Sequence, residues 1–123
     1  MRNMESAENY LETILMLKNE KGSVRSIDIA NELEYSKPSV SVAMKRLREK
    51  EYITVNEGGL IELTDEGKNL AESIYERHIT LTNALTALGV DPEVAAEDAC
   101  RVEHYISQET FDRIKEHFEK RGK

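Results

Sequence analysis

The 123-residue chain carries a formal net charge of -7, with 39% hydrophobic and 33% charged residues, which suits one compact domain or two very small ones and argues against a large catalytic core. With no Trp and only 6% aromatics, its core must rest on Leu, Ile, Val, Ala and Met, and so small and charged a chain is expected to draw stability from a partner subunit. The polar start MRNMESAENY and the lack of any long apolar run argue against a signal peptide or membrane span and predict a cytoplasmic protein, whose single cysteine can form no internal disulfide.

Ser6 is placed to cap a first helix through AENYLETILMLKNE, where Tyr10, Leu11, Ile14, Leu15 and Leu17 recur at helical spacing before KGS ends it. SIDIANEL, from Ser26, predicts a short second helix with Ile27, Ala30 and Leu33 inward. After the turn EYS, Ser36 caps KPSVSVAMKRLREK, with Pro38 in the first turn, where its missing N–H costs least. The period then changes from helical to alternating. YITV and LIEL flank the turn NEGG and predict two short strands in a hairpin. Thr64 opens a fourth helix to about Leu88, with Leu70, Ile74, His78, Leu81, Leu85 and Leu88 on one stripe, and Gly89 ends it. Asp91-Pro92 starts a fifth helix through Tyr105, and Ser107 caps a sixth whose EKRGK tail is expected to fray. The predicted fold is mainly α with a small β-hairpin. Helix, helix, turn, helix and hairpin over residues 1–63 is the order of a winged helix-turn-helix, and residues 64–123 form a second, helical domain.

An acidic chain is a poor polyanion ligand overall, yet its charge is uneven. From Gly22 to Lys50 six basic residues (Arg25, Lys37, Lys45, Arg46, Arg48, Lys50) face four acids (Asp28, Glu32, Glu34, Glu49). Local potential governs phosphate contacts, so DNA affinity through this segment should depend strongly on salt. On the third helix Val40, Met44 and Leu47 form the inward stripe. That leaves Ser36, Lys37, Ser39, Ser41, Val42, Lys45, Arg46 and Arg48 outward, with Arg25 nearby. Ser and Lys suit phosphates, while Pro38 or Val42 suits a thymine methyl. The plainer reading is a solvated basic face, and the hairpin that follows directly favours DNA.

Cys100, Glu103 and His104 occupy positions i, i+3 and i+4 of the fifth helix and offer sulfur, oxygen and nitrogen donors. Alone they read as a small buried thiol, a solvated carboxylate and a partly exposed imidazole. His78, among leucines, reads as a core imidazole that needs a partner, and Asn9 and Glu12 share a face of the first helix.

SAENYLETI, DIANEL, SKPSVSVAMKRL, LTDEG, ERH, LGVD and DACRVEHYIS, in that order, resemble the DtxR/MntR family of metal-dependent repressors over nearly the whole chain. The resemblance implies a metal-binding and dimerisation domain at residues 64–123 and a homodimer that binds a palindromic DNA operator when loaded with metal. It places metal ligands at Asn9, Glu12, His78, Cys100, Glu103 and His104. The family's manganese branch has carboxylates where this chain has Asn9 and Cys100; its iron branch has a thioether at the first and a cysteine at the second. Glu12 therefore resembles the manganese branch and Cys100 the iron branch. The iron branch's ancillary site falls on Thr82 and Ala96 and is expected to be missing, and the SH3-like domain is expected to be missing too. A thiolate favours softer metals while oxygens suit Mn(II) and Fe(II). Fe(II) is expected first and Mn(II) next, with Zn(II), Co(II) or Ni(II) binding in vitro. No HExxH pair and no Gly-rich phosphate loop point to an enzyme or a small-molecule substrate. The rival reading is a winged-helix regulator that senses oxidation of Cys100, through an intermolecular partner or a small thiol.

Overall fold

The computed structural model describes residues 5–121, and the side chains of residues 6–119. By internal packing the chain divides between Glu72 and Ser73 into two compact units. That division falls inside one helix.

The first unit contains α1 (Glu5–Lys21), α2 (Ser26–Leu33), α3 (Lys37–Glu49), the strands β1 (Ile53–Val55) and β2 (Ile61–Leu63), and the first turns of α4 (Asp65–Ala87). Its core joins Leu11, Ile14 and Leu17 of α1, Ile29 and Ala30 of α2, Val40, Met44 and Leu47 of α3, and Ile53 and Ile61 of the hairpin. Every element therefore contributes to one apolar centre, and truncating one of its buried Leu, Ile or Met residues to Ala should cost about 2–5 kcal/mol. Two details differ from the periodicity reading. Ser6 lies inside α1 rather than capping it, and α2 turns Ile29 inward while Ile27 is exposed. An eight-residue helix has only two turns, and at that length its stripe is set by what it packs against.

Ser36 does cap α3, accepting from the Ser39 backbone N–H, with Pro38 in the first turn. Glu34 at the end of α2 takes the left-handed conformation that makes the tight turn into α3. At the start of α2 the Asp28 carboxylate accepts the Arg25 backbone N–H at 2.9 Å. That bond, with Lys21 nearby, holds the Asp28 carboxyl below the usual carboxylate range. β1 and β2 pair antiparallel, Ile53 with Leu63 and Val55 with Ile61. The Ile61 N–H donates at 2.8 Å to the carbonyl of Val24, which ties the wing to the segment leading into α2.

The second unit holds the rest of α4, then α5 (Pro92–Val102) and α6 (Gln108–Arg121). Asp91 caps α5 through two backbone N–H groups, with Pro92 in the first turn, and Ser107 accepts the Thr110 N–H ahead of α6. The buried stripe of α4 within this unit is Ile74, Arg77, Leu81 and Ala84; Leu88, expected inward, is 70% exposed. α5 stops at Val102 rather than Tyr105. Of the EKRGK tail, expected to fray, Glu119–Arg121 belong to α6, and the last two positions lie outside the described residues. Among those residues, no helix is long and apolar enough to cross a membrane.

The base of the wing depends on one glycine. The Tyr52 carbonyl accepts the Thr64 N–H at 3.0 Å, and Thr64 in turn accepts the Gly67 N–H through its hydroxyl. A Cβ on Gly67 would overlap the Tyr52 carbonyl oxygen and lie 2.9 Å from its carbon. Neither backbone can yield cheaply there. Gly67→Ala should destabilise the first unit by about 1–3 kcal/mol, read as a lower urea midpoint; an unchanged midpoint would show that the wing base is not so tightly packed.

Candidate metal centre and nucleic-acid face

In the second unit α4 and the end of α5 bring three of the expected ligands together. Glu103 is the C-cap residue of α5, its N–H donating to the Ala99 carbonyl, and His104 follows in the turn. The Glu103 side chain is fully buried and that of His104 is nearly so. From α4, His78 places Nδ1 3.1 Å from Glu103 Oε2. In a neutral imidazole one ring nitrogen carries the proton and the other is an acceptor, the form in which imidazole binds metal. His104 Nε2 lies 3.4 Å from the other oxygen, Oε1.

Glu103 Oε1 has no hydrogen-bond partner, one of two such buried side-chain atoms among the described residues; the other is Thr82 Oγ1, one turn along α4 from His78. Leaving a buried acceptor unsatisfied costs about 1–3 kcal/mol. A cation offsets that cost, and imidazole nitrogens beside a carboxylate oxygen are a fitting donor set for Mn(II), Fe(II) or Zn(II). The residues present therefore fit a divalent ion on chemical grounds.

Cys100 behaves differently from its two neighbours. It is exposed, while Ala95 and Ala99 take the buried positions of α5. The i, i+3, i+4 rule assumes a helix that continues, and this one ends at Val102, so the turn carries His104 inward independently of where Cys100 faces.

In the first unit, Asn9 and Glu12 both lie on α1; Glu12 is buried and Asn9 half-buried. Glu8 is buried as well, a second carboxylate that the residue pattern did not mark. The basic face of α3 is laid out as its periodicity predicts. Ser36, Lys37, Pro38, Ser39, Ser41, Val42, Lys45, Arg46 and Arg48 are all exposed, and Val42 presents half its surface. Arg25 is exposed too, but its guanidinium donates to the Gly58 carbonyl in the wing turn, so it also braces the hairpin. Between α1 and α3 a groove of about 300 Å³ is lined by Tyr10, Arg46 and Lys50 among others, which adds Lys50 to the basic surface.

Sequence reasoning also missed Arg77. It sits three residues after Ile74 and four before Leu81, on the apolar stripe itself, and that spacing was the signal that could have found it.

Two family models cover the chain. The N-terminal DNA-binding domain of iron-dependent repressors matches residues 3–59, and the iron-dependent repressor metal-binding and dimerisation domain matches residues 64–122. The transcriptional regulator MntR of Salmonella typhimurium is 41% identical over 108 residues, 88% of this chain and 69% of that one. The HTH-type transcriptional regulator MntR of Bacillus subtilis is 36% identical over 109 residues, 89% of this chain and 77% of that one. Among solved structures, a manganese-dependent transcriptional repressor complex with manganese aligns with a TM-score of 0.83 at 25% identity, over 90% of this chain and 51% of that one. The T. acidophilum IdeR structure aligns with a TM-score of 0.78 at 28% identity, over 90% and 53%. This chain thus spans about half the length of those two regulators.

Glu103→Gln keeps the shape of the side chain and removes its charge. With chelator present its thermal midpoint should equal or exceed that of the parent, because the burial of a charge with one oxygen not hydrogen-bonded is relieved. Divalent-metal affinity should meanwhile fall by about 100-fold or more, since loss of even an outer partner of a ligand costs about 10–100-fold. A large drop in midpoint with unchanged metal affinity would instead identify Glu103 as a structural residue.

Proposed function

The chain belongs to the DtxR/MntR family of metal-dependent transcriptional repressors, and we propose that it binds a palindromic DNA operator as a homodimer when a divalent cation is held by His78, Glu103 and His104 together with Cys100, Glu12 and Asn9. The observation that carries the reading is the buried Glu103 carboxylate between His78 and His104, one of its oxygens without a hydrogen bond. Buried acids with incomplete satisfaction are costly and mark functional sites. Residues 1–63 act as the winged helix-turn-helix reading head and 64–123 as the metal-binding and dimerisation domain.

The metal we assign is Mn(II), with Fe(II) close behind. Fe(II), expected first beside Mn(II), has the iron-branch likeness of Cys100 in its favour, and that residue is exposed. The remaining oxygen and nitrogen donors suit the harder ion, as do two relatives named MntR. Cys100, exposed on α5, stays in the proposed donor set as its softest member, and no observation favours regulation through its oxidation. The protein acts by binding rather than by catalysis, in the cytoplasm, where a DNA-binding repressor meets its target.

A bound ion would supply positive charge to the donors proposed on α1, α4 and the end of α5. Glu12 and Asn9 sit on the helix that packs against α3 within the reading head, so a constraint on α1 is a constraint on the recognition helix. Metal can favour operator binding only through its different affinities for DNA-competent and incompetent conformations, and DNA must tighten metal binding by the same factor. In the competent dimer the two α3 helices would stand about 34 Å apart or a multiple of that, the repeat of the major groove on one face of the duplex. Ser36, Lys37, Ser39, Lys45, Arg46 and Arg48 hold phosphates, Arg25 steadies the wing beside them, and Pro38, Ser41 and Val42 approach base edges.

Fluorescence anisotropy against a promoter library tests this, run anaerobically with Mn(II), Fe(II), Zn(II) or chelator. We expect specific binding with Mn(II) or Fe(II) and its loss in chelator. His78→Ala and His104→Ala should each lose the metal stimulation while sedimenting as folded dimers; unchanged DNA titrations for either would remove that residue from the site. Lys45→Ala should weaken binding nearly uniformly across sequences and lower the log–log salt slope by about 1. A sequence-selective loss would mean that Lys45 reads a base.

A further inference from the structure

Arg77 is a charged side chain held at 7% exposure on the inward stripe of α4. Its Nη1 donates at 3.0 Å to the carbonyl of Glu103 and at 3.0 Å to the carbonyl of Ile106. Its Nη2 donates at 3.0 Å to Oε1 of Gln108, and the guanidinium lies 5.4 Å from the centroid of the Phe111 ring. The turn between α5 and α6 is thereby held from one point. A helix end leaves its last carbonyls without partners, and here the Glu103 carbonyl at the end of α5 finds one in a neighbouring helix. A planar fork of fixed donors serves two carbonyls and an amide oxygen with less loss of freedom than an ammonium on a flexible stem.

Arg77 and His78 are consecutive, and they hold the same residue by its two ends. Arg77 grips the Glu103 backbone while His78 contacts the Glu103 carboxylate. His104, next in the chain, rides on the same turn. We propose that Arg77 is the positioning residue of the metal centre, setting where Glu103 and His104 stand relative to His78 so that their donor atoms are arranged before any cation arrives. The proposal rests on the reading of those three residues as ligands. Preorganisation of this kind raises affinity by removing the ordering cost at the moment of binding. A cap that served stability alone would not carry that consequence.

The test uses the full chain and the variants Arg77→Gln, Arg77→Lys and Ala84→Gly, with His78→Ala alongside. Ala84 is buried on α4, and Ala84→Gly weakens the same helix while leaving every named contact of Arg77 in place. Urea midpoints in chelator measure stability, hydrogen exchange of the amides of residues 103–107 in the metal-free protein measures order in the turn, and Mn(II) titration followed by electron paramagnetic resonance measures affinity. Arg77→Gln should speed exchange across the turn and weaken Mn(II) by about 10–100-fold. Arg77→Lys should lose less, and Ala84→Gly should lower the urea midpoint and leave the affinity unchanged. Should Arg77→Gln not fold, Arg77→Lys against Ala84→Gly carries the comparison. Full Mn(II) affinity in the Arg77 variants, or an affinity loss that tracks stability equally in all three, would overturn the positioning role. Unchanged affinity in His78→Ala would instead defeat the ligand assignment beneath it.

Discussion

A buried carboxylate is the constraint around which the second unit is arranged. Glu103 is fully buried, its Oε2 is engaged by His78 and its Oε1 has no hydrogen-bond partner. Folding a short chain with such a group costs free energy that an apolar side chain of the same volume would not. The expense is understandable only where the group meets a ligand that satisfies it, which is the chemistry expected of a repressor controlled by a metal ion. Arg77 is the complementary investment in the same place: a buried cation spent on backbone carbonyls, holding the turn rather than neutralising the acid directly.

The first unit solves a different physical problem, presenting positive charge on an acidic chain. Its core is aliphatic and shared among three helices and a hairpin, so the outer face of α3 is free of packing duty and carries exposed Ser, Lys and Arg. The wing is held by backbone bonds at both ends, from Ile61 to Val24 and from Thr64 to Tyr52, and by an ion pair between Lys18 and Glu62. A rigid head of this kind transmits a restraint on α1 to α3 because the two helices share a core. The metal ligands proposed on α1 are therefore placed where a modest free energy can bias DNA binding.

Much of this was legible residue by residue. The Ser36 cap, the Pro38 first turn, the stripe of Val40, Met44 and Leu47, the hairpin around NEGG and the Asp91-Pro92 helix start are local signals, each decided by a few neighbouring side chains, and each appears as read. Ile27 and Leu88 were misplaced because short helices and helix ends take their orientation from distant packing partners, which periodicity does not see. Arg77 was passed over because an arginine on an apolar stripe looks like an interruption until its acceptors, carbonyls some 26 and 29 positions away, are in view.

The amino-acid order by itself determined the element types, their sequence and the basic face of α3, because these follow from spacing and caps along a single segment; the candidate ligands entered only through the resemblance of its motifs to a family. Only the tertiary structure decided which of those donors are drawn inward. Glu103 and His104 are buried while Cys100 is exposed, since α5 ends at Val102 and the turn beyond it is shaped by a guanidinium from another helix. Burial and hydrogen-bond satisfaction are properties of segments brought together in space, and no spacing rule within one of them can supply them.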